Sequence, residues 1–265
     1  MILYHNGEFI EETPLFDFQD RLRLGDGVFD TMLIIDGNPA HHDLHIDRLL
    51  HDAAILKIDN LTNTDELKNA ALKLIESNES FAGRFALNTL ITRGPSKRGL
   101  MPSDNAAPTI AMRISEAPKT FPDINAIIST KTRRNEGSEI SRIKSCNYGD
   151  NILALLEARE QNANDAILLN NKGNATCATA GNIFCCINNR LVTPPLIDGV
   201  LDGITRKILI ENLDIEERSI NEEELKNAAG IYITNSIRGI TPVRSLNGKT
   251  LPEPSIKIDK DFHLK

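Results

Sequence analysis

Both halves of the chain set tight-turn residues between short β-prone runs, and this local pairing limits the fold more than any other feature. Residues 2–4 and 8–10 flank Asn6-Gly7, where both positions tolerate positive φ, so the segment predicts a two-residue hairpin. Residues 183–187 and 191–193 flank Asn188-Asn189-Arg190 in the same manner. Hairpins between neighbouring strands build antiparallel sheets. The regular strand–helix alternation of a doubly wound sheet is missing, so the chain reads as α+β. Gly25-Asp26-Gly27 does not complete the G-x-G-x-x-G of a dinucleotide site.

Helical periodicity fills the gaps. Ile46, Leu49, Leu50 and Ala53 recur at i, i+3, i+4 and i+7, which predicts a helix with one buried face over residues 43–57. A second helix is expected over 65–76 with Thr64 as its cap, and others over about 150–162 and 204–213. Asn221 stands three residues before Glu224, the spacing of a capping box. Strands are expected at 85–92, 109–114, 126–130 and 166–169, with 231–234 the last. Residues 115–122 are polar and hold two prolines, which marks a linker between a small N-terminal α/β domain (1–114) and a larger β-rich domain with flanking helices (123–265).

At 265 residues each domain can bury its own core. With 37 Asp and Glu against 30 Lys and Arg the formal charge is −7, which argues against nucleic acid held through overall charge. The cysteines (Cys146, Cys177, Cys185 and Cys186) form no C-x-x-C pair, so zinc and thioredoxin-like readings fail and reduced thiols of a cytoplasmic protein are expected. The N-terminus has no basic region followed by a long apolar run, and nowhere are there 18 consecutive apolar residues. Neither a secretory signal nor a membrane span is expected.

Three places hold residues suited to chemistry. Leu201-Asp202-Gly203-Ile204-Thr205-Arg206 opens a helix, whose free N–H groups suit a phosphate; Asp202 and Thr205 could equally serve only as caps. Thr234-Asn235-Ser236-Ile237-Arg238-Gly239-Ile240-Thr241 follows a buried strand with small and hydroxyl residues, as an anion loop or a plain turn. Lys144 sits in Arg142-Ile143-Lys144-Ser145-Cys146-Asn147-Tyr148, before a helix. An anion cup together with a lysine amine is what pyridoxal phosphate requires. His41-His42-Asp43-Leu44-His45 reads as a polar lead into the helix carrying Arg48 and not as a metal cluster.

The order of several motifs resembles the fold-type-IV pyridoxal-phosphate enzymes, which include branched-chain and D-amino-acid aminotransferases and aminodeoxychorismate lyase. Asp20-Arg21 followed by Leu24-Gly25-Asp26-Gly27-Val28-Phe29-Asp30-Thr31 is similar to the family's opening signature. Asp47-Arg48-Leu49-Leu50-His51-Asp52-Ala53 resembles the helix whose arginine contacts the cofactor phosphate. Asn182-Ile183-Phe184, Leu191-Val192-Thr193-Pro194-Pro195 and Gly203-Ile204-Thr205-Arg206 follow in the family's order. The resemblance runs nearly end to end and implies two domains with the cofactor between them, in a homodimer.

By that resemblance Lys144 is the Schiff-base lysine and the acid–base group, Arg48 binds phosphate, and Ile204, Thr205 and Ser236 complete the phosphate site. Arg93 or Arg98, in Ile91-Thr92-Arg93-Gly94-Pro95-Ser96-Lys97-Arg98-Gly99, would pair a substrate carboxylate or pin the loop. This loop looks more like those of the lyases and D-amino-acid aminotransferases than the branched-chain type, and Asn235 to Val243 resembles the lyase version most closely. The implied reaction releases pyruvate from 4-amino-4-deoxychorismate and leaves 4-aminobenzoate for folate synthesis, with aminotransferases as the alternative. One departure stands out. Five residues before the Asn-Ile-Phe motif the family places a glutamate that keeps the cofactor's pyridine nitrogen protonated, and here that cofactor-binding position is Cys177. A thiol with an ordinary pKa near 8.5 is a weak donor and cannot replace a carboxylate, which leaves a low-turnover cofactor binder as a further alternative.

Overall fold

In the computed structural model, which describes residues 2–11, 17–78 and 82–264 (of His263 the backbone only), Asn6 and Gly7 take φ of 48° and 96°. They turn β1 (Leu3–His5) directly into β2 (Glu8–Ile10), with His5 opposite Glu8. The first unit adds β3 (Gly27–Ile35), β4 (Asn38–Pro39), α1 (His42–Ile55), α2 (Thr64–Ser77), β5 (Arg84–Thr92) and β6 (Thr109–Glu116). Its sheet has the order β2-β1-β6-β5-β3-β4, antiparallel throughout. Ile46, Leu49 and Ala53 of α1 and Leu67, Ala71 and Leu74 of α2 share one core with Met32, Ile34, Leu87 and Met112 of the sheet. The cap of α2 is Asn63 and not Thr64. Asn63 keeps extended backbone and its Oδ1 accepts the Glu66 N–H at 2.8 Å, while Thr64 is already helical.

The second unit holds β7 (Ile124–Ile128), α3 (Gly149–Glu160), β8 (Asp165–Leu169), β9 (Ala175–Ala178), β10 (Asn182–Ile187) and β11 (Arg190–Thr193). It continues with α4 (Ile204–Asn212), β12 (Ile215–Glu217), α5 (Glu222–Lys226), β13 (Ile231–Asn235), β14 (Gly239–Leu246) and β15 (Lys249–Thr250). The strand order is β12-β11-β10-β13-β14-β7-β8-β9, with β15 on β14, and β9 also pairs with β10. That last pairing, Asn182 opposite Cys177, closes β10, β13, β14, β7, β8 and β9 into a ring. Alternate residues face opposite ways. Ile183, Cys185, Ile231 and Ile233 enter one core, whereas Phe184, Cys186 and Tyr232 pack with Leu209 of α4. Ile127, Ala166 and Leu168 pack with Ala154 and Ala158 of α3.

Several expectations change in detail. The turn after β10 has two residues, because Arg190 already pairs with Ile187 and Asn188 and Asn189 take φ of 49° and 60°. The strand at 231–234 is not the last; Gly239 at φ 75° lets the chain return as β14. The capping box of Asn221 and Glu224 is present. The units comprise Met1–Lys119 with Ile143–Cys146, and Thr120–Arg142 with Asn147–Lys265. Residues 123–265 are therefore not one domain. Ile143 joins the first unit's core, Ser145 bridges Val28, and the Phe29 N–H donates to the Lys144 carbonyl at 2.9 Å. Among the described residues no helix is long and apolar enough to cross a membrane. Asn63→Ala should lower unfolding free energy by about 1 kcal/mol, read from the shift in urea midpoint at unchanged slope.

Candidate functional site

Lys144 belongs to the first unit and lies in a turn, five residues ahead of α3. Its carbonyl accepts from Phe29, and its own N–H donates to Asp52 Oδ2 at 2.8 Å. The ammonium sits 4.4 Å from the centre of the Phe29 ring. Both ends of the residue are thus fixed from β3 and α1, while the side chain is only half-buried.

Arg48 rises from the same helix face, and Asp30 organises it. Asp30 Oδ2 accepts from Arg48 Nε at 2.9 Å and Nη2 at 2.7 Å, and Oδ1 accepts from His45 Nδ1 at 2.6 Å. Burial by itself would raise the Asp30 carboxyl. The charges of Arg48 and His45, with Lys144 more distant, hold it well below the usual carboxylate range. Burial lowers His45, against the pull of Asp30. Asp52 shows the opposite balance: burial pushes it up to about 6, although the Lys144 N–H and Arg48 favour its charged form.

The two loop arginines separate. Arg93 donates to both oxygens of Asp26, at 2.8 and 3.0 Å, and to the carbonyls of Leu56 and Lys57 at 2.5 and 2.6 Å. A guanidinium so fully engaged pins the loop to the end of α1, the second of the two roles expected for it. Arg98 remains exposed, on an open pocket of about 550 Å³ with Arg23, Lys97, Gln19, Ser96 and Phe18.

The other expected residues gather at one end of the strand ring in the second unit. β7, β8, β10 and β14 begin there, and β9 and β13 end there. Asn182 is the hub. It pairs with Cys177 on one side and Thr234 on the other, and its Nδ2 donates to the Leu201 carbonyl at 2.8 Å, fixing the turn into α4. A Cβ on Gly203 would stand 2.1 Å from Asn182 Oδ1, and one on Gly181 2.7 Å from the Thr234 carbonyl, so only glycine allows these approaches. Gly203 is the N-cap of α4 and no side chain caps the helix, which leaves the first-turn N–H groups of Ile204 and Thr205 without intrahelical partners.

Capping therefore does not explain Thr205. Its Oγ1 is buried (2% exposed) without a hydrogen-bond partner, and so is that of Thr234 (1% exposed). Buried hydroxyls are normally satisfied, so two orphans beside an uncapped helix start fit the oxygens of a phosphate group. Ser236 lies in the following turn, half-buried. Cys177 is buried, with Thr176 Oγ1 3.6 Å from its Sγ. Sequence reasoning missed Asn182 as the hub and Thr234 as an orphan; their signals were a polar residue in an apolar strand and a threonine ending one. Tyr148 is the N-cap residue of α3. His42 pairs with Asp43 at 3.4 Å.

Comparison with known proteins now decides the family. Residues 27–246 match the amino-transferase class IV model. The chain belongs to that family. Its members depend on pyridoxal phosphate. A Methanocaldococcus jannaschii protein assigned as a branched-chain-amino-acid aminotransferase is 31% identical, across 99% of this chain and 95% of its own. The D-alanine aminotransferase of Bacillus licheniformis is 29% identical, across 95% and 90%. The structure of a Legionella pneumophila protein assigned as a 4-amino-4-deoxychorismate lyase superposes with a TM-score of 0.85 at 27% identity, covering 91% of this chain and 90% of that one. Relatives at similar identity thus carry different reactions, and the shared ground is the class IV fold.

Two outcomes follow from this geometry. Because Asp52 holds its proton to higher pH when folded, its contribution to stability is present in acid and is lost as the pH rises through about 6. Asp52→Asn, which still offers Lys144 an acceptor, should gain stability over the parent between about pH 4 and 6, reaching roughly 2–3 kcal/mol and level above that, in urea melts across pH. Thr234→Val should leave the cofactor-free protein as stable or about 1 kcal/mol more so, and weaken inorganic phosphate binding in calorimetry.

Proposed function

We propose that this chain is a pyridoxal-phosphate-dependent 4-amino-4-deoxychorismate lyase, releasing pyruvate and 4-aminobenzoate. The observation that carries the choice of reaction is Cys177. The residue stands beside the hub Asn182, where the resemblance expects a carboxylate, and no acidic residue bonds to it among the described residues. When bound, pyridoxal phosphate supplies an electrophilic carbon for an amine and a ring that withdraws electrons. Without an acid to keep that ring charged, transamination suffers more than an elimination driven by aromatisation.

The chain's own groups divide the work. The first-turn N–H groups of Ile204 and Thr205, with the hydroxyls of Thr205, Thr234 and Ser236, bind phosphate oxygens. Arg48, oriented by Asp30, adds charge of the opposite sign. Lys144 Nζ would hold the cofactor and, as a free amine, would take the proton from the substrate carbon that bears the amine. The carbon–oxygen bond to the enolpyruvyl group breaks, the ring becomes aromatic, and the departing enol picks up a proton to become pyruvate. Arg98 is the loop arginine left for a carboxylate. A homodimer in the cytoplasm accompanies this reading. Ile152, Leu153, Leu155 and Leu156, 42–56% exposed on one face of α3, are apolar surface that a second copy would cover.

The aminotransferase reading is favoured by the relatives' names and by nothing in the site. The deciding experiment incubates purified protein, pyridoxal phosphate and 4-amino-4-deoxychorismate. Pyruvate and 4-aminobenzoate should appear in equal amounts, and Lys144→Ala should give neither and lose the visible absorbance band of the bound cofactor. Consumption of D-alanine only with a 2-oxo acid present, and no lyase product, would establish the aminotransferase instead. A visible band with neither activity would mark a cofactor binder without turnover. Cys177→Glu should raise any slow transamination about tenfold while changing lyase turnover less; an equal gain in both removes the argument from Cys177.

A further inference from the structure

We propose that Arg238, in the turn between β13 and β14, binds a carboxylate of the substrate. The inference rests on the pyridoxal-phosphate reading for its setting, and it holds for lyase and aminotransferase alike, since both act on amino acids or amino-substituted acids.

The backbone of the turn is fixed. Asn235 Oδ1 accepts the N–H groups of Ile237 at 3.1 Å and Arg238 at 2.7 Å, and Asn235 Nδ2 donates to the Ala180 carbonyl at 3.0 Å. The guanidinium lies 5.2 Å from the centre of the Phe121 ring. Phe121 precedes β7 and Arg238 precedes β14, and these strands run parallel, so both overhang the ring end that carries the orphan hydroxyls of Thr205 and Thr234.

What sets Arg238 apart from the other described arginines that are not exposed is the lack of an acceptor. Arg206 pairs with Glu217, Arg218 with Glu224, and Arg244 with Glu253; even Asp123, two residues from Phe121, is directed to Arg244 at 3.6 Å. Among the described residues the Arg238 guanidinium has neither an acid within ion-pair distance nor a hydrogen-bond acceptor. A half-buried guanidinium stacked on a ring and given no partner is a planar fork held ready for an anion, and a carboxylate matches its two parallel N–H groups. The phosphate has its own donors at the α4 start, two strands away, which leaves Arg238 for the substrate's charge.

The test compares cofactor-loaded wild type with Arg238→Gln by calorimetry, using pyruvate and 4-aminobenzoate as carboxylate probes and acetone and aniline as the same skeletons without the carboxylate. The expected result is a Kd for at least one carboxylate raised about tenfold or more, unchanged binding of its neutral counterpart, and unchanged cofactor affinity. Equal carboxylate Kd values, parallel loss of the neutral probes, weakened cofactor binding (which would make Arg238 a phosphate ligand) or no carboxylate binding by wild type would each overturn it. If wild type takes up no cofactor, the pyridoxal-phosphate reading falls by itself, and the same carboxylate comparison on that protein still decides Arg238.

Discussion

The contact between Asn182 and Gly203 is the constraint on which the second unit's site depends. A helix start can come so close to a strand end only where one partner lacks a side chain and the other offers a short amide. Asn182 uses its donor on the turn before α4 and so gives the helix its angle without capping it. The helix N-terminus keeps its partial positive charge and its free N–H groups because its neighbour holds it from behind. Both threonine hydroxyls are buried at this end of the strand ring, and neither oxygen has a hydrogen-bond partner.

The first unit meets a different demand, that of holding an amine beside a carboxylate cluster. Asp30 is enclosed, yet the Arg48 guanidinium above all keeps it ionised, and through Arg48 and His45 it ties β3 to α1. Asp52 accepts the Lys144 backbone N–H. One carboxylate therefore balances charge and the other holds geometry, and the Lys144 ammonium lies over the Phe29 ring.

Much of this was legible in the residue order. The Asn6-Gly7 hairpin, the buried face of α1 and the Asn221–Glu224 capping box are local, and their physics lies within a few positions. The return of Ile143–Cys146 to the first unit was not, because a four-residue segment pairing with Gly27 and Phe29 has no periodicity to announce it. β14 escaped for a similar reason: Pro242 within a strand argues against one, and here the strand accommodates it. For the site, residue types pointed to Lys144 and to the two segments that carry Thr205 and Ser236. Only coordinates could show that Arg93 is consumed by Asp26 and two carbonyls, since side-chain partners across loops leave no mark in spacing.

The ring of strands is sealed by one residue pair, Asn182 with Cys177, so the position where the resemblance leads one to expect a glutamate is also a seam. A carboxylate at such a seam would need a positive partner to be tolerated in an empty protein, and a thiol needs none. The strands therefore meet around the apolar core of Ile183, Ile231 and Ile233 with no buried charge to balance at their joint.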